Sequence, residues 1–130
     1  MQDAVQILSN PDPRQQLGRD GEAAARAALL ARGYVILAER FRVSHGEIDV
    51  VARHGETLVF VEVKTRRDAR FGGGSAAITW RKQRKIVRVA QAFLARSRLH
   101  DVPCRFDVVV VDWPAGDSAR AEIIAGAFDA

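Results

Sequence analysis

From Gly46 to Thr65 the chain is an apolar stretch with charged residues toward its outer ends and one short break at His54-Gly55, and a period of two sorts its side chains onto two faces. A period of two with a glycine at the break predicts two strands joined by a tight turn. If His54-Gly55 forms the loop, Arg53 pairs with Glu56, Val51 faces Leu58, Asp49 faces Phe60 and Glu47 faces Glu62. One face of this ribbon carries Ile48, Val50, Ala52, Thr57, Val59, Val61 and Val63 and is expected to be buried. The other carries Val51, Leu58 and Phe60 near the turn, and Glu47, Asp49, Glu62 and Lys64 at the far end. A slip of one residue would turn one strand's valines outward, so the apolar pattern constrains the pairing.

The rest of the chain falls into recognisable pieces around this hairpin. Residues 1–13 are polar with two prolines and read as a flexible arm; residues 14–130 read as a single domain without internal repeats. Alanines and leucines at helical spacing predict a first helix over Gln15–Arg32, stopped at Gly33. A strand over Tyr34–Val43 follows, then the hairpin at Glu47–Thr65. Arg66–Thr79 contains Gly72-Gly73-Gly74 between arginines and reads as a loop able to close over nucleic acid. Trp80–Arg98 is a second helix whose stripe is Ile86, Val89, Ala90, Phe93 and Leu94, while Arg81, Arg84, Lys85 and Arg88 project elsewhere. Arg105–Trp113 is an apolar, central strand, Pro114-Ala115-Gly116 turns the chain, and Glu122–Phe128 adds a last strand. The order predicts an α/β sandwich of two or three layers around a mixed sheet, with the second helix as the crossover that a parallel pair requires.

The charged end of the hairpin is where chemistry enters. Glu47 opposite Glu62, with Asp49 beside them, destabilises a sheet unless a cation or a proton offsets the repulsion. Asp49 and Glu62 become diagonal neighbours roughly 7–8 Å apart, close enough for both side chains to reach one ion. Mg²⁺ suits such a site, being a hard ion that takes one or two carboxylates plus waters and phosphate oxygens. The competing reading is a solvated sheet edge with cross-strand ion pairs.

Asp49 followed by Glu62-x-Lys64 on the next strand, with Glu22 on a preceding helix, resembles the PD-(D/E)xK restriction-endonuclease-like superfamily. More narrowly the chain resembles the YraN-like family of small bacterial predicted endonucleases, over residues 17–128. The matching residues are Leu17-Gly18-x-x-Gly21-Glu22, Gly33-Tyr34, Gly46-Glu47-Ile48-Asp49, Phe60 to Arg66, Lys82-Gln83 and Arg105 to Val109. Ile48 stands where the superfamily has proline, and Arg40 stands where the narrower family tends to have asparagine. The resemblance implies a restriction-endonuclease-like core of order α-β-β-β-α-β and a metal-dependent nuclease acting on DNA, branched or damaged DNA included, in repair or recombination. Asp49 and Glu62, aided by the carbonyl of Val63, are then expected to ligate Mg²⁺ or Mn²⁺. Lys64 is expected to orient the attacking water or stabilise charge at phosphorus. Glu22 is a further ligand, a supporting acid or an exposed helix glutamate; Glu47 orients water or occupies the rim. Lys82 and Gln83 match the family pattern at the second helix and are expected to hold a phosphate.

Composition narrows the partners. Of the 130 residues 48% are hydrophobic, enough for one core without staples. One cysteine, Cys104, excludes an internal disulfide, and at the start of a strand it is expected to be a buried small hydrophobe. No membrane-length apolar run and no signal peptide are visible, so the cytoplasm is the expected compartment. The net charge of +4 is unevenly spread: from Lys64 to Arg105 there are twelve Lys or Arg against Asp68 and Asp101. A phosphate backbone is the matching polyanion, a solubilising helix surface the alternative. Arg66, Arg67, Arg70, Arg81, Lys85 and Arg88 are read as backbone contacts and not base readers. Only Lys64, Lys82 and Lys85 are lysines, which makes a compact ammonium at the motif position noteworthy. His45, His54 and His100 lack zinc-site spacing, with His54 read as a turn residue, and no nucleotide-binding glycine loop or serine elbow occurs. Three readings remain: a nuclease, with a homodimer expected if it cuts both strands; a non-catalytic nucleic-acid-binding accessory factor of the same fold; and a structural domain whose acids only form ion pairs.

Overall fold

The computed structural model describes residues 13–66, 78–113 and 118–130. In chain order it contains α1 (Pro13–Ala31), β1 (Val35–Val43), β2 (Gly46–His54), β3 (Thr57–Arg66), α2 (Trp80–Arg96), β4 (Cys104–Asp112) and β5 (Arg120–Phe128). Each expected element is present. Helix α1 starts at Pro13, inside the segment read as an arm, because proline's fixed φ suits a first helical position. It ends in a Schellman motif, with the Tyr34 amide donating to Leu29, the Gly33 amide to Leu30, and Gly33 at φ +85°.

The five strands lie side by side in chain order; only β3 and β4 run parallel, and α2 supplies the crossover between them. The fold is therefore a mixed α/β sandwich with a five-stranded sheet. Its helices cover opposite faces. Ala25 and Leu29 of α1 pack on Val50, Ala52, Val59, Val61, Val109 and Val111, whereas Ile86, Val87, Val89 and Ala90 of α2 pack on Val51, Leu58, Phe60 and Phe106. The α2 side is rich in rings. Phe93 meets Phe41 at 5.1 Å and Phe60 at 5.9 Å edge-on, and Phe106 stacks on both Phe60 and Phe128.

Three expectations need correction. The β2–β3 turn is Gly55-Glu56 and not His54-Gly55, since His54 pairs with Thr57, Ala52 with Val59 and Val50 with Val61. Among these residues φ is positive at Gly55 alone, as in a type II′ turn. The register thus moves by two residues, which keeps each side chain on its face and removes the expected pairing of Glu47 with Glu62. Ile48 leaves the valine face and packs on the α2 side with Val51, so the alternation breaks next to Asp49. Cys104 is exposed and its thiol donates to the Val102 carbonyl at 3.3 Å.

Candidate functional site

At the end of the hairpin away from the turn, the β2–β3 ladder runs as far as Val50 and Val61. Just beyond it the Val63 amide donates to Oδ2 of Asp49 at 2.8 Å, so a side-chain carboxylate takes the place of a strand carbonyl. Glu62, on the same side of β3 as Leu58 and Phe60, turns toward α2 and hydrogen-bonds to Asp49. Helix α2 meets it there. Thr79 caps the helix by accepting from the Lys82 amide at 3.2 Å, and Lys82 Nζ reaches Glu62 Oε2 at 3.5 Å. Glu62, Val63, Lys64, Ile78, Thr79 and Lys82 line one open cavity of about 350 Å³.

The two carboxyls compete for ionisation. Burial and then the Asp49 charge push Glu62 up to about 8, against the pull of Lys82. Asp49 is also raised, by burial first, while the Val63 amide and the hydrogen bond from Glu62 hold it down and the charges of Glu22 and Glu47 push it up. One proton is therefore shared between neighbouring acids at neutral pH, with Glu62 as its main holder. Among the described residues no group of three or more His, Cys, Asp or Glu side chains is arranged to hold a metal ion. The donor set is two hard carboxyl oxygens, of which that of Glu62 lines the open cavity, and it fits Mg²⁺ or Mn²⁺ with water filling the remaining positions better than it fits zinc.

The other expected residues have varied surroundings. Glu22 accepts from Arg40 Nε at 3.0 Å and Nη2 at 2.5 Å, and its charge still reaches Asp49. Glu47 pairs with Arg42 at 2.6 Å on the more exposed side. Val63, expected to lend its carbonyl, is fixed by its amide to Asp49. Gln83 turns back to donate to the Ile78 carbonyl at 2.8 Å, securing the approach to α2. Arg66 forms a two-pronged pair with Asp112, at 2.7 and 2.9 Å, on the neighbouring parallel strand. Arg81, Lys85 and Arg88 share a second groove with Trp80 and Arg84. Arg67 and Arg70, with the triple glycine, lie outside the described residues.

Two features carry no role in the sequence reading. The Lys82 contact with Glu62 depends on how α2 docks, although Lys82-Gln83 already stood in the matching motif. The second is a polar network on the α1 face of the sheet. Fully buried Asp107 accepts from Tyr34 Oη at 2.7 Å, Arg105 Nε at 2.8 Å and the Gly126 amide at 2.9 Å. His54 stacks on Tyr34 at 4.2 Å and sets Nδ1 3.0 Å from Arg105. These bonds account for Tyr34, Arg105 and Asp107 structurally.

Comparison with known proteins matches residues 21–111 to the model of "Uncharacterised protein family UPF0102". A UPF0102 protein of Xanthomonas oryzae pv. oryzae (strain PXO99A) is 53% identical over 100 residues, 76% of this chain and 82% of its own. One of Symbiobacterium thermophilum is 46% identical over 116 residues, covering 89% of this chain and 98% of that protein. A third, of Geobacter sulfurreducens, is 47% identical over 113 residues, 87% and 88% of the two chains. Asp49, Glu62, Lys64 and Lys82 all fall inside the matched span, and the chain belongs to the UPF0102, or YraN-like, family.

Proposed function

We propose that the protein is a metal-dependent nuclease of the restriction-endonuclease-like class, hydrolysing phosphodiester bonds in DNA. The observation that carries this reading is the Asp49–Glu62 pair at the point where β2 and β3 part, with Lys64 and Lys82 lining the same cavity as Glu62. Two half-buried acids side by side cost stability that a purely structural edge has no reason to retain. The mixed sheet between two helices supports the class without establishing the chemistry.

Asp49 and Glu62 would hold the cation, whose bound form supplies Lewis acidity to the phosphoryl group and to the attacking water. Asp49 is kept in place by the Val63 amide, so its carboxylate needs no reorganisation before binding. To serve as a ligand Glu62 would release its proton to solvent, and Lys82, 3.5 Å from it, would then be placed to hold a phosphate oxygen. Lys64 brings a second ammonium to the cavity wall, suited to orient water or offset charge developing on the phosphoryl oxygens. The basic block that begins at Lys64 supports binding of the backbone.

One observation favours the accessory-factor reading: Lys82 Nζ, 3.5 Å from Glu62, offsets the single negative charge of the proton-sharing pair, as a site without a cation would need. The two are separated by offering linear, flapped and four-way DNA with Mg²⁺ or Mn²⁺ to the wild type, Asp49→Asn and Lys64→Ala. Nicking by the wild type and a loss of roughly a hundredfold or more in each variant is expected, in line with removal of one stabilising group at a reacting phosphate. Nicking that persists in both variants rejects the assignment, and tight binding without nicking promotes the accessory factor.

A further inference from the structure

Trp80, the first residue of α2, is 72% exposed, more than any other large apolar side chain among the described residues. An indole left in water forgoes a large burial gain, and tryptophan is enriched where proteins meet their partners. Its neighbours are all cationic. Trp80, Arg81, Arg84, Lys85 and Arg88 line a groove of about 510 Å³ along the flank of α2 that points away from Ile86, Val89 and Ala90. Arg84 lies over the indole, 5.8 Å from the ring centroid, and is itself steadied by donating to the Asp129 carbonyl at 3.1 Å. Among the described residues no acid lines the groove. At the helix start it adjoins the cavity of the acid pair, because Thr79 and Lys82 wall that cavity while Trp80 and Arg81 open the groove.

Cations alone would serve any polyanion, duplex DNA included. The indole adds a demand that a duplex meets poorly, since paired bases already stack on one another and present only their edges. An unpaired base has a free face, and stacking on an aromatic side chain beside arginines is the recurrent way proteins hold single strands. We infer that this groove binds an unpaired stretch of DNA, one base stacked on Trp80 and the flanking phosphates on Arg81, Lys85 and Arg88, leading the strand around the start of α2 to the acid pair. The inference rests on the nuclease reading and deepens it: the preferred substrate is single-stranded or flapped DNA, not a blunt duplex.

The test is fluorescence anisotropy on the full chain in EDTA, which separates binding from cleavage. The probes are an oligothymidylate, an abasic strand of equal length and a blunt duplex. Wild type is expected to bind the oligothymidylate more tightly than either of the others. Trp80→Ala weakens oligothymidylate binding about tenfold or more, the loss of one stacked base, and leaves the abasic strand unchanged. Trp80→Tyr keeps most of the affinity, and a far-ultraviolet circular dichroism spectrum like the wild type's shows that the variants fold. Equal oligothymidylate binding by Trp80→Ala and wild type overturns the inference, as does a loss shared with the abasic strand, a preference for the duplex, or binding to none of the three. Trp80-dependent binding without metal-dependent nicking sinks the nuclease reading alone. Nicking that needs Asp49, with flapped and duplex DNA cut alike by Trp80→Ala and wild type, sinks this inference alone.

Discussion

Two carboxyls that share a proton cannot accept a cation without releasing it. In the unfolded chain Glu62 has its ordinary value of 4.5, and in the fold it stands at about 8. Between those limits the folded protein holds a proton that the unfolded chain has lost, so this group's stabilising effect falls as pH rises and is gone above the window. Cation affinity runs the other way. Titration calorimetry with Mn²⁺ is expected to show tighter binding as pH rises toward 8, by up to about tenfold per unit, with proton release below that point. Glu62→Gln should bind weakly and without this slope, and a pH-independent wild-type affinity would refute the shared proton. That Asp49, Glu62 and Lys64 stand at one end of the hairpin was legible from its strand pattern, but their register was not. His54 stays in the strand because its ring stacks on Tyr34 and its Nδ1 meets Arg105, partners twenty or more positions away that no turn rule contains. Arg40 has a similar lesson. It occupies φ +53°, a region that asparagine, the residue the resemblance leads one to expect there, tolerates better than most. Its guanidinium grips Glu22 instead.

At the scale of elements, the site depends on how closely α1 approaches β3. A Cβ built on Gly21 would lie 2.1 Å from Thr65 Oγ1 and 3.0 Å from its Cγ2, one residue beyond Lys64. Gly21→Ala therefore forces the helix off the strand or Thr65 out of its rotamer, at a cost of about 1–3 kcal/mol. Urea unfolding measures it, and the double variant Gly21→Ala/Thr65→Ala should recover much of the loss; an unchanged midpoint in the single variant would show that the contact is not tight. Helix and strand positions were readable because 3.6-residue and two-residue periods are imposed by burial on one side. The second buried side of the hairpin was harder to foresee. Val51, Leu58 and Phe60 share a face with Glu62 and Lys64, and only the docking of α2 shows that this face is apolar core near the turn and polar cavity at the far end. The same docking makes Lys82 a partner of Glu62, a contact between residues twenty positions apart.

Across the whole molecule, no helix among the described residues is long and apolar enough to cross a membrane, and order is secured from one polar centre. Burial pushes Asp107 up, but Arg105, the Gly126 amide and Tyr34 together hold it below its ordinary 3.8. A depressed value contributes stability that is present above 3.8 and lost as pH falls through the folded value. Asp107→Asn should therefore unfold less steeply with acid below pH 4 while being less stable at neutrality, by about 2–3 kcal/mol for the lost charged hydrogen bonds. Circular dichroism across pH 2 to 7 reads both, and an acid profile identical to the wild type's would remove Asp107 from that role. The bond from Gly126 ties the buried carboxylate of β4 to the edge strand β5. The register of β4 and β5 shifts beside Asp107, and Gly126 takes φ +62° as it presents its amide there. Without β5 the Asp107 carboxylate would stand in the sheet with one donor missing. An edge strand thus completes the interior, and a truncation that removes β5 should be felt at the centre of the sheet and not only at its edge.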